Sequence, residues 1–159
     1  MIKCSIVAMG SLKEKFFKEA CGEYIKRLSR FCDLDICEIE PHKLPEKPSL
    51  GEIENALKTE AAQINKKIPQ NSLVIALCVE GKQMSSEKLA EKIKEVSAVG
   101  RGLCFIIGSS HGLADEVKKN SDLRLSLSEM TFPHKLFRVM LLEQIYRGFM
   151  INSGSEYHK

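Results

Sequence analysis

The chain has 159 residues, of which 43% are hydrophobic and 28% are charged, and its formal net charge is +3. This length predicts one domain, residues 1–159, with a buried core, and the composition is ordinary for a soluble globular protein. The modest charge permits a polyanionic partner but excludes the strongly basic class of non-specific nucleic-acid binders.

Segments with strand patterns and segments with helix patterns alternate along the whole chain. The predicted strands cover residues 2–9, 34–39, 72–79, 103–107 and 123–126. The predicted helices cover residues 13–30, 49–68, 85–99, 115–120 and 134–152. This order predicts an α/β fold in which a mainly parallel sheet carries helices on both faces.

Three local patterns add detail to these elements. Segment 34–39 alternates apolar with acidic residues, which predicts an edge strand or a strand with one solvated face. Segment 72–79 is almost entirely apolar, which predicts burial on both faces, and Gly81 is expected to end that strand. Ser49 and Glu52 have the spacing of a capping box at a helix start.

The cysteines, the histidines and the opening segment argue against several classes of protein. None of the six cysteines forms a C-x-x-C pair, so we expect buried, reduced thiols in a cytoplasmic protein. The opening residues 1–7 are expected to form a strand and not a signal peptide, and no apolar run has the length of a membrane span. We expect no metal site, because no cysteine or histidine pair has ligand spacing. The scattered histidines are His42, His111, His134 and His158.

Two strand ends in the second half of the chain open into loops of small residues. Strand 103–107 runs into Gly-Ser-Ser-His-Gly at 108–112, and strand 123–126 runs into the loop 127–134. Open α/β sheets bind ligands at the carboxyl ends of their strands, so both loops are expected to contact one ligand. Dinucleotide, nucleoside-triphosphate and hydrolase sites are disfavoured, because their glycine-rich, Walker A and nucleophile-elbow motifs are absent.

The last predicted helix, 134–152, is apolar on more than one face, whereas a surface helix needs only one apolar stripe. We expect its second face to pack against another subunit in a homodimer; a central helix buried within its own domain is the alternative. Arg138 on this apolar helix needs an anionic or polar partner, for which an RNA phosphate or a carboxylate would serve.

The terminal residues Tyr157, His158 and Lys159 are not explained by packing, because chain ends are usually unconstrained. An aromatic ring beside an imidazole can stack on an unpaired base and hydrogen-bond its edge. The tail is therefore expected to serve catalysis or RNA docking.

Motifs along nearly the whole chain share one resemblance. They are residues 6–10, 77–82, 105–108, 127–134, 138–139, 143–147 and 157–159. Together they resemble the ribosomal large subunit methyltransferase H family of SPOUT-class, trefoil-knotted RNA methyltransferases. Members of that family methylate N3 of a pseudouridine in large-subunit ribosomal RNA.

The resemblance implies an S-adenosylmethionine-dependent methyltransferase of the same specificity, with a trefoil knot in its C-terminal part; we expect it to work as the homodimer predicted from the last helix. Its RNA substrate is either free or, as we favour, in the assembled ribosome. The resemblance also implies cofactor-binding residues: Leu77, Gly108, Leu127, Ser128, Glu129, Met130, Thr131 and Phe132. It implies His158, Tyr157 and Arg138 as catalytic residues, with His158 a candidate to take the N3 proton.

One residue departs from the family pattern. The family commonly has Gly-Gly after the fourth strand, whereas the second position here is Ser109. A serine reaches positive φ at a greater energetic cost than a glycine, so the loop is expected to hold a slightly different shape or to gain a hydrogen bond from the hydroxyl. If the change abolished cofactor binding, the chain would be a non-catalytic, ribosome- or RNA-associated α/β module.

Overall fold

The computed structural model describes residues 1–159 and contains one five-stranded parallel sheet. Its strands are β1 (Ile2–Met9), β2 (Cys32–Ile39), β3 (Ser72–Gln83), β4 (Gly102–Ile107) and β5 (Leu123–Ser126), in the spatial order β2-β1-β4-β3-β5. Its helices are α1 (Lys15–Leu28), α2 (Leu50–Asn65), α3 (Ser86–Ala98), α4 (Asp115–Asn120) and α5 (His134–Asn152). The predicted α/β fold with a parallel sheet is confirmed.

The helices divide between the two faces of the sheet because successive strand residues point to opposite sides. Ile6 and Phe105 belong to a buried cluster with α1, α3 and α5. Val7 and Ile106 belong to a second buried cluster with α2 and α4. Each face thus buries its own apolar core, which contributes about 25 cal/mol per Å² of apolar surface removed from water.

Of the two alternatives predicted for the strand at 34–39, the edge position is the one found, since β2 pairs with β1 alone. The capping box at the start of α2 is also present. Ser49 Oγ accepts from the Glu52 amide at 3.1 Å, and the Ser49 amide donates to the Glu52 carboxylate at 3.2 Å. The helix predicted over 49–68 ends earlier, at Asn65. Turns at residues 66–67 and 70–71 then connect it to β3.

The predicted end of the third strand at Gly81 is wrong. β3 leaves its ladder with β5 after Leu77, and pairs with it again from Lys82 onward. A Cβ atom on Gly81 would lie 2.8 Å from the backbone of Leu125, so only glycine lets the two strands pass this closely. The glycine therefore permits the strand to continue after an irregular segment.

Helix α5 packs between α1 and α3 on one face of the sheet. Leu141, Leu142 and Ile145 are fully buried there, so the chain itself covers much of the apolar surface, as in the central-helix alternative. Leu136 stays 39% exposed and Met140 is half-buried, which leaves apolar surface along the helix. The homodimer remains a prediction.

Two further sequence expectations concern the state of the cysteines and the presence of a membrane-spanning segment. The thiols of Cys4, Cys21, Cys32 and Cys104 are buried and free, and those of Cys37 and Cys78 are half-buried and free. None of the helices combines the length and the apolar character that a bilayer-crossing segment requires.

Candidate active site

A cavity of about 360 Å³ opens at the carboxyl edge of the sheet, where β4, β3 and β5 end side by side. This volume lies within the range of small-molecule sites. Seven residues that the sequence assigned to the ligand site line it: Leu77, Gly108, Leu127, Ser128, Met130, Thr131 and Phe132. Glu129 does not line it, whereas His111 and His134 do.

The irregular segment of β3 forms one wall of the cavity. Cys78, Val79 and Glu80 line the cavity at the point where the strand has left its ladder with β5. Glu80 is ion-paired with Lys118 of α4, and this contact holds the pKa of the Glu80 carboxyl below its usual range. This wall therefore carries an ionised carboxylate that is already neutralised by a lysine. No local pattern in the sequence indicates this pair, because its members lie on different elements.

A tight turn from Gly108 to Gly112 forms the second wall. The Gly112 amide donates to the Ser109 carbonyl at 2.9 Å, and Gly112 adopts a φ of +84°, which favours glycine. A Cβ atom on Gly108 would lie 2.6 Å from the Gly112 carbonyl carbon. The turn thus folds directly over Gly108, and any side chain there would displace it.

Ser109 begins this turn without backbone strain, because Asn71 is the only non-glycine residue with a positive φ. Its hydroxyl donates a hydrogen bond to Glu60 Oε2 at 3.3 Å. Of the two expectations for the departure from Gly-Gly, the added hydrogen bond is therefore the one that the structure contains.

Glu60 is a residue near the site that the sequence analysis missed. It lies on α2 and is only 4% exposed. Burial raises the pKa of its carboxyl, against the opposing effects of the Ser109 hydrogen bond and of the nearby imidazoles of His42 and His111. A buried acid thus stands directly behind the turn that lines the cavity.

The raised pKa of Glu60 predicts a pH-dependent stability. The Glu60 carboxyl stays protonated to a higher pH in the folded chain than in the unfolded chain. The stability that this protonated carboxyl contributes is therefore full below its pKa in the unfolded chain, and is lost as the pH rises through its pKa in the folded chain. Glu60→Gln should remove this loss. Denaturant unfolding of both proteins between about pH 4 and pH 8 should show the variant gaining relative stability as the pH rises. A stability difference that stays constant with pH would contradict this expectation.

The loop from Leu127 to Phe132 forms the third wall. The Ser126 hydroxyl donates to the Ser128 carbonyl at 2.8 Å, and the Met130 amide donates to Ser128 Oγ at 3.0 Å. Outside the helices and strands, none of the backbone–backbone hydrogen bonds involves residues 127–132. Backbone donors and acceptors free for a ligand thus lie beside apolar side chains, an arrangement that suits the edge and face of a heteroaromatic ring.

Arg138 does not line the cavity. It is 5% exposed; its Nη2 donates to the Gly10 carbonyl at 3.0 Å, and its Nη1 lies 3.3 Å from the Glu38 carboxylate. Its buried Nε has no hydrogen-bond partner. A carboxylate is thus the anionic partner found for this arginine, and the side chain joins α5 to the ends of β1 and β2.

The terminal residues Tyr157 and His158 lie against α3 and α5, outside the cavity lining. The Tyr157 hydroxyl donates to Glu143 at 3.2 Å, and burial raises the pKa of Tyr157 to about 12. His158 Nε2 lies 2.8 Å from Glu87, whose pKa this contact lowers to about 2. Arg147 Nη1 lies 3.3 Å from His158 Nδ1, so the imidazole contacts a guanidinium on one side and a carboxylate on the other.

A groove of about 560 Å³ beside α5 lies between the cavity and the tail. Leu127 lines both the cavity and the groove, and Glu143 lines the groove and holds Tyr157. Val139 and Met140 form part of its apolar wall. Within one chain, the groove therefore borders the cavity through Leu127 and the tail through Glu143.

The chain is similar to known proteins along nearly its whole length. Residues 2–158 match the family model described as a predicted SPOUT methyltransferase. The protein named ribosomal RNA large subunit methyltransferase H from Clostridioides difficile strain 630 is 49% identical over 156 residues, which cover 98% of each chain. The protein of that name from Streptococcus suis strain 05ZYH33 is 45% identical over 159 residues, covering 99% of this chain and 100% of the relative.

A solved structure shares the fold. It is that of a probable methylase family protein from Haemophilus influenzae Rd KW20, with a TM-score of 0.54. The match covers 96% of this chain and 67% of that chain at 15% sequence identity, so it speaks for the fold alone.

Proposed function

The chain belongs to the SPOUT methyltransferase family, and from this membership we propose that it methylates N3 of a pseudouridine in large-subunit ribosomal RNA, using S-adenosylmethionine. Its relatives at 45% and 49% identity are named as methyltransferases of large-subunit ribosomal RNA. The observation that carries the proposal is the cavity at three neighbouring strand ends, because it gives a small-molecule site to a chain that matches the family model over residues 2–158.

The residues of the cavity fit this cofactor. Backbone groups of the loop 127–132 are free to bind the edge of an adenine, and Leu77, Leu127 and Phe132 offer apolar contacts to its faces. The missing side chain at Gly108 lets the Ser109–Gly112 turn fold directly over it, beside these residues. Ser128, Met130 and Thr131 complete the proposed cofactor site, and Glu129 belongs to it through the resemblance alone. When bound, S-adenosylmethionine supplies an electrophilic methyl group.

Methyl transfer to a ring nitrogen demands alignment and exclusion of water more than covalent help from the protein. The proton on N3 must also leave. The cavity carboxylate Glu80 is neutralised by Lys118, which argues against it as the acceptor. We propose that His158 takes the proton and that Tyr157 stacks on the base, while Arg138 acts from a distance by holding the start of α5.

These roles require the tail to reach a cavity from which it is separated within its own chain. We therefore propose a homodimer in which α5 lies at the interface and each tail completes the partner's cavity. The half-exposed apolar residues Met140 and Val139 beside the groove support this interface. The proposal also includes a trefoil knot in the C-terminal part, a cytoplasmic location and, as substrate, RNA within the assembled ribosome.

The dimer predicts a large effect of a charge on α5. Met140→Glu should dissociate it, because a carboxylate buried without a partner in an interface costs several kcal/mol. Ala62→Glu is the matched control, since it adds the same charge at an exposed position on α2, across the sheet. Analytical ultracentrifugation at micromolar concentration should find dimers for the parent and the control and monomers for Met140→Glu. A monomeric parent would exclude the interface.

A calorimetric titration with S-adenosylmethionine tests the proposed function against the non-catalytic alternative. We expect saturable binding by the parent, competed by S-adenosylhomocysteine, which shares the adenosine but lacks the transferable methyl group. An enzyme that works through this cavity must bind the cofactor. The absence of binding would instead favour an RNA-associated module that keeps the fold alone.

A further inference from the structure

Glu60 has no role in the chemistry proposed above, although it is one of the few charged side chains that the fold buries. A buried carboxylate lowers stability unless strong contacts compensate its lost hydration. The imidazoles that face it, His42 on the loop after β2 and His111 in the turn after β4, both belong to exposed residues. The role of Glu60 in the protein therefore depends on the hydrogen bond that its carboxylate accepts.

That contact joins α2 to the wall of the cavity. The Ser109 hydroxyl donates to Glu60, and Ser109 immediately follows Gly108 at the start of the turn. Its carbonyl also accepts the Gly112 amide that closes the turn, so one residue connects α2 with both ends of this wall. The side chain of Glu60 does not itself line the cavity and reaches it only through Ser109.

We propose that Glu60 is a positioning residue, whose hydrogen bond with Ser109 holds the Ser109–Gly112 turn in the shape that receives S-adenosylmethionine; this inference rests on the proposed function. Fixing a binding loop in its bound shape raises affinity, because less conformational entropy is lost on binding. A hydrogen bond from a fixed helix can supply this restraint, since α2 is anchored by the buried residues Ala56, Ala61 and Ile64.

Four single substitutions separate positioning from a merely structural role. Glu60→Leu and Ser109→Ala each remove the hydrogen bond and should weaken S-adenosylmethionine binding by about tenfold, as the loss of one charge-assisted hydrogen bond does. Glu60→Gln keeps an oxygen that accepts from Ser109 and should restore affinity to within about twofold. Thr59→Ala, at the exposed neighbouring position on α2, is the matched control and should bind like the parent.

The free energy of unfolding distinguishes positioning from a merely structural role, because the two roles predict different changes in it. Removing the buried charge should leave the unfolding free energy of Glu60→Leu equal to or above that of the parent, while its affinity falls. The double variant Glu60→Leu/Ser109→Ala should bind no more weakly than either single variant, because both lose the same hydrogen bond. Affinity that falls only in proportion to stability, additive losses in the double variant, or a Glu60→Gln as weak as Glu60→Leu would each overturn the proposal.

A measurement without cofactor keeps this proposal distinct from the proposed function. Hydrogen exchange at the Gly112 amide should be faster in Glu60→Leu and Ser109→Ala than in the parent, because the turn opens more often without its tie to α2. Unchanged exchange would overturn the positioning role. If exchange is faster in the two variants but the parent binds no S-adenosylmethionine, the tie between α2 and the turn is retained, and the cofactor is rejected and with it the proposed function.

Discussion

Gly108→Ala is expected to weaken S-adenosylmethionine binding by at least about tenfold, or ~1.4 kcal/mol. The added methyl group would lie 2.6 Å from the Gly112 carbonyl carbon, closer than real Cβ contacts allow. The obstacle is backbone and not the end of a flexible side chain, so the whole turn must move away from its place beside the cavity. Isothermal titration calorimetry of the purified variant measures the effect directly.

Gly22→Ala is the matched control for this substitution. A Cβ atom on Gly22 meets no atom within 4 Å, and the residue lies on the exposed side of α1. The control should bind the cofactor like the parent and gain up to about 1 kcal/mol of stability from alanine's better helix propensity. Thermal melting distinguishes local displacement of the turn from unfolding. A folded Gly108→Ala protein with parental affinity would mean that the cofactor binds elsewhere.

Removal of Tyr157, His158 and Lys159 is expected to lower the methyl-transfer rate by about one to two decades, if the tail supplies one base contact of roughly 1–3 kcal/mol. Cofactor affinity should stay unchanged, since the tail does not line the cavity of its own chain. The rings of Tyr157 and Tyr146 lie 5.0 Å apart, so the deletion also removes an aromatic contact of about 0.5–1.5 kcal/mol. His158→Ala leaves that contact in place and should still reduce the rate.

Mixing the tail-deleted chain with Gly108→Ala tests whether the active site is composite. Each homodimer lacks one half of every site, whereas a mixed dimer holds one complete site. Random pairing should therefore restore about a quarter of the parental activity, since half of the dimers are mixed and one of their two sites is intact. No recovery despite demonstrated subunit exchange would mean that each site is built within one chain. Full activity of the tail-deleted homodimer would remove the tail from the mechanism.

Local patterns predicted most of the architecture, because they report on contacts within one element. The acidic alternation of β2 predicted an edge strand or a strand with one solvated face, and β2 lies at the edge. The small-residue segments after β4 and β5 predicted loops that line the cavity. Glu60 was missed, although a signal existed: it stands four residues from Ala56 and from Ile64, on the buried stripe of α2. A charge on an apolar stripe indicates a buried acid with a specific partner.

Contacts between elements that are distant in the sequence could not be predicted from local patterns. Gly81 looked like a strand end, because no local pattern shows that its backbone runs against that of Leu125. Arg138 could not be assigned to an RNA phosphate or to a carboxylate, because its partners Gly10 and Glu38 lie more than ninety residues away in the sequence. The tail looked free of packing, because its contact with Tyr146 exists only once α5 has folded. Each case depends on tertiary structure, which a single sequence does not report.

The most direct test of the proposed function is methylation of ribosomes that lack the modification. The purified protein should be incubated with S-adenosylmethionine that carries a labelled methyl group, and with either 70S ribosomes or free large-subunit RNA. The RNA should then be digested and its nucleosides analysed by mass spectrometry. We predict one labelled product, N3-methylpseudouridine from large-subunit RNA, formed on ribosomes and reduced with Gly108→Ala at subsaturating S-adenosylmethionine. A protein that binds the cofactor but transfers no methyl group to either RNA, or that labels a different nucleoside, would contradict the proposed activity.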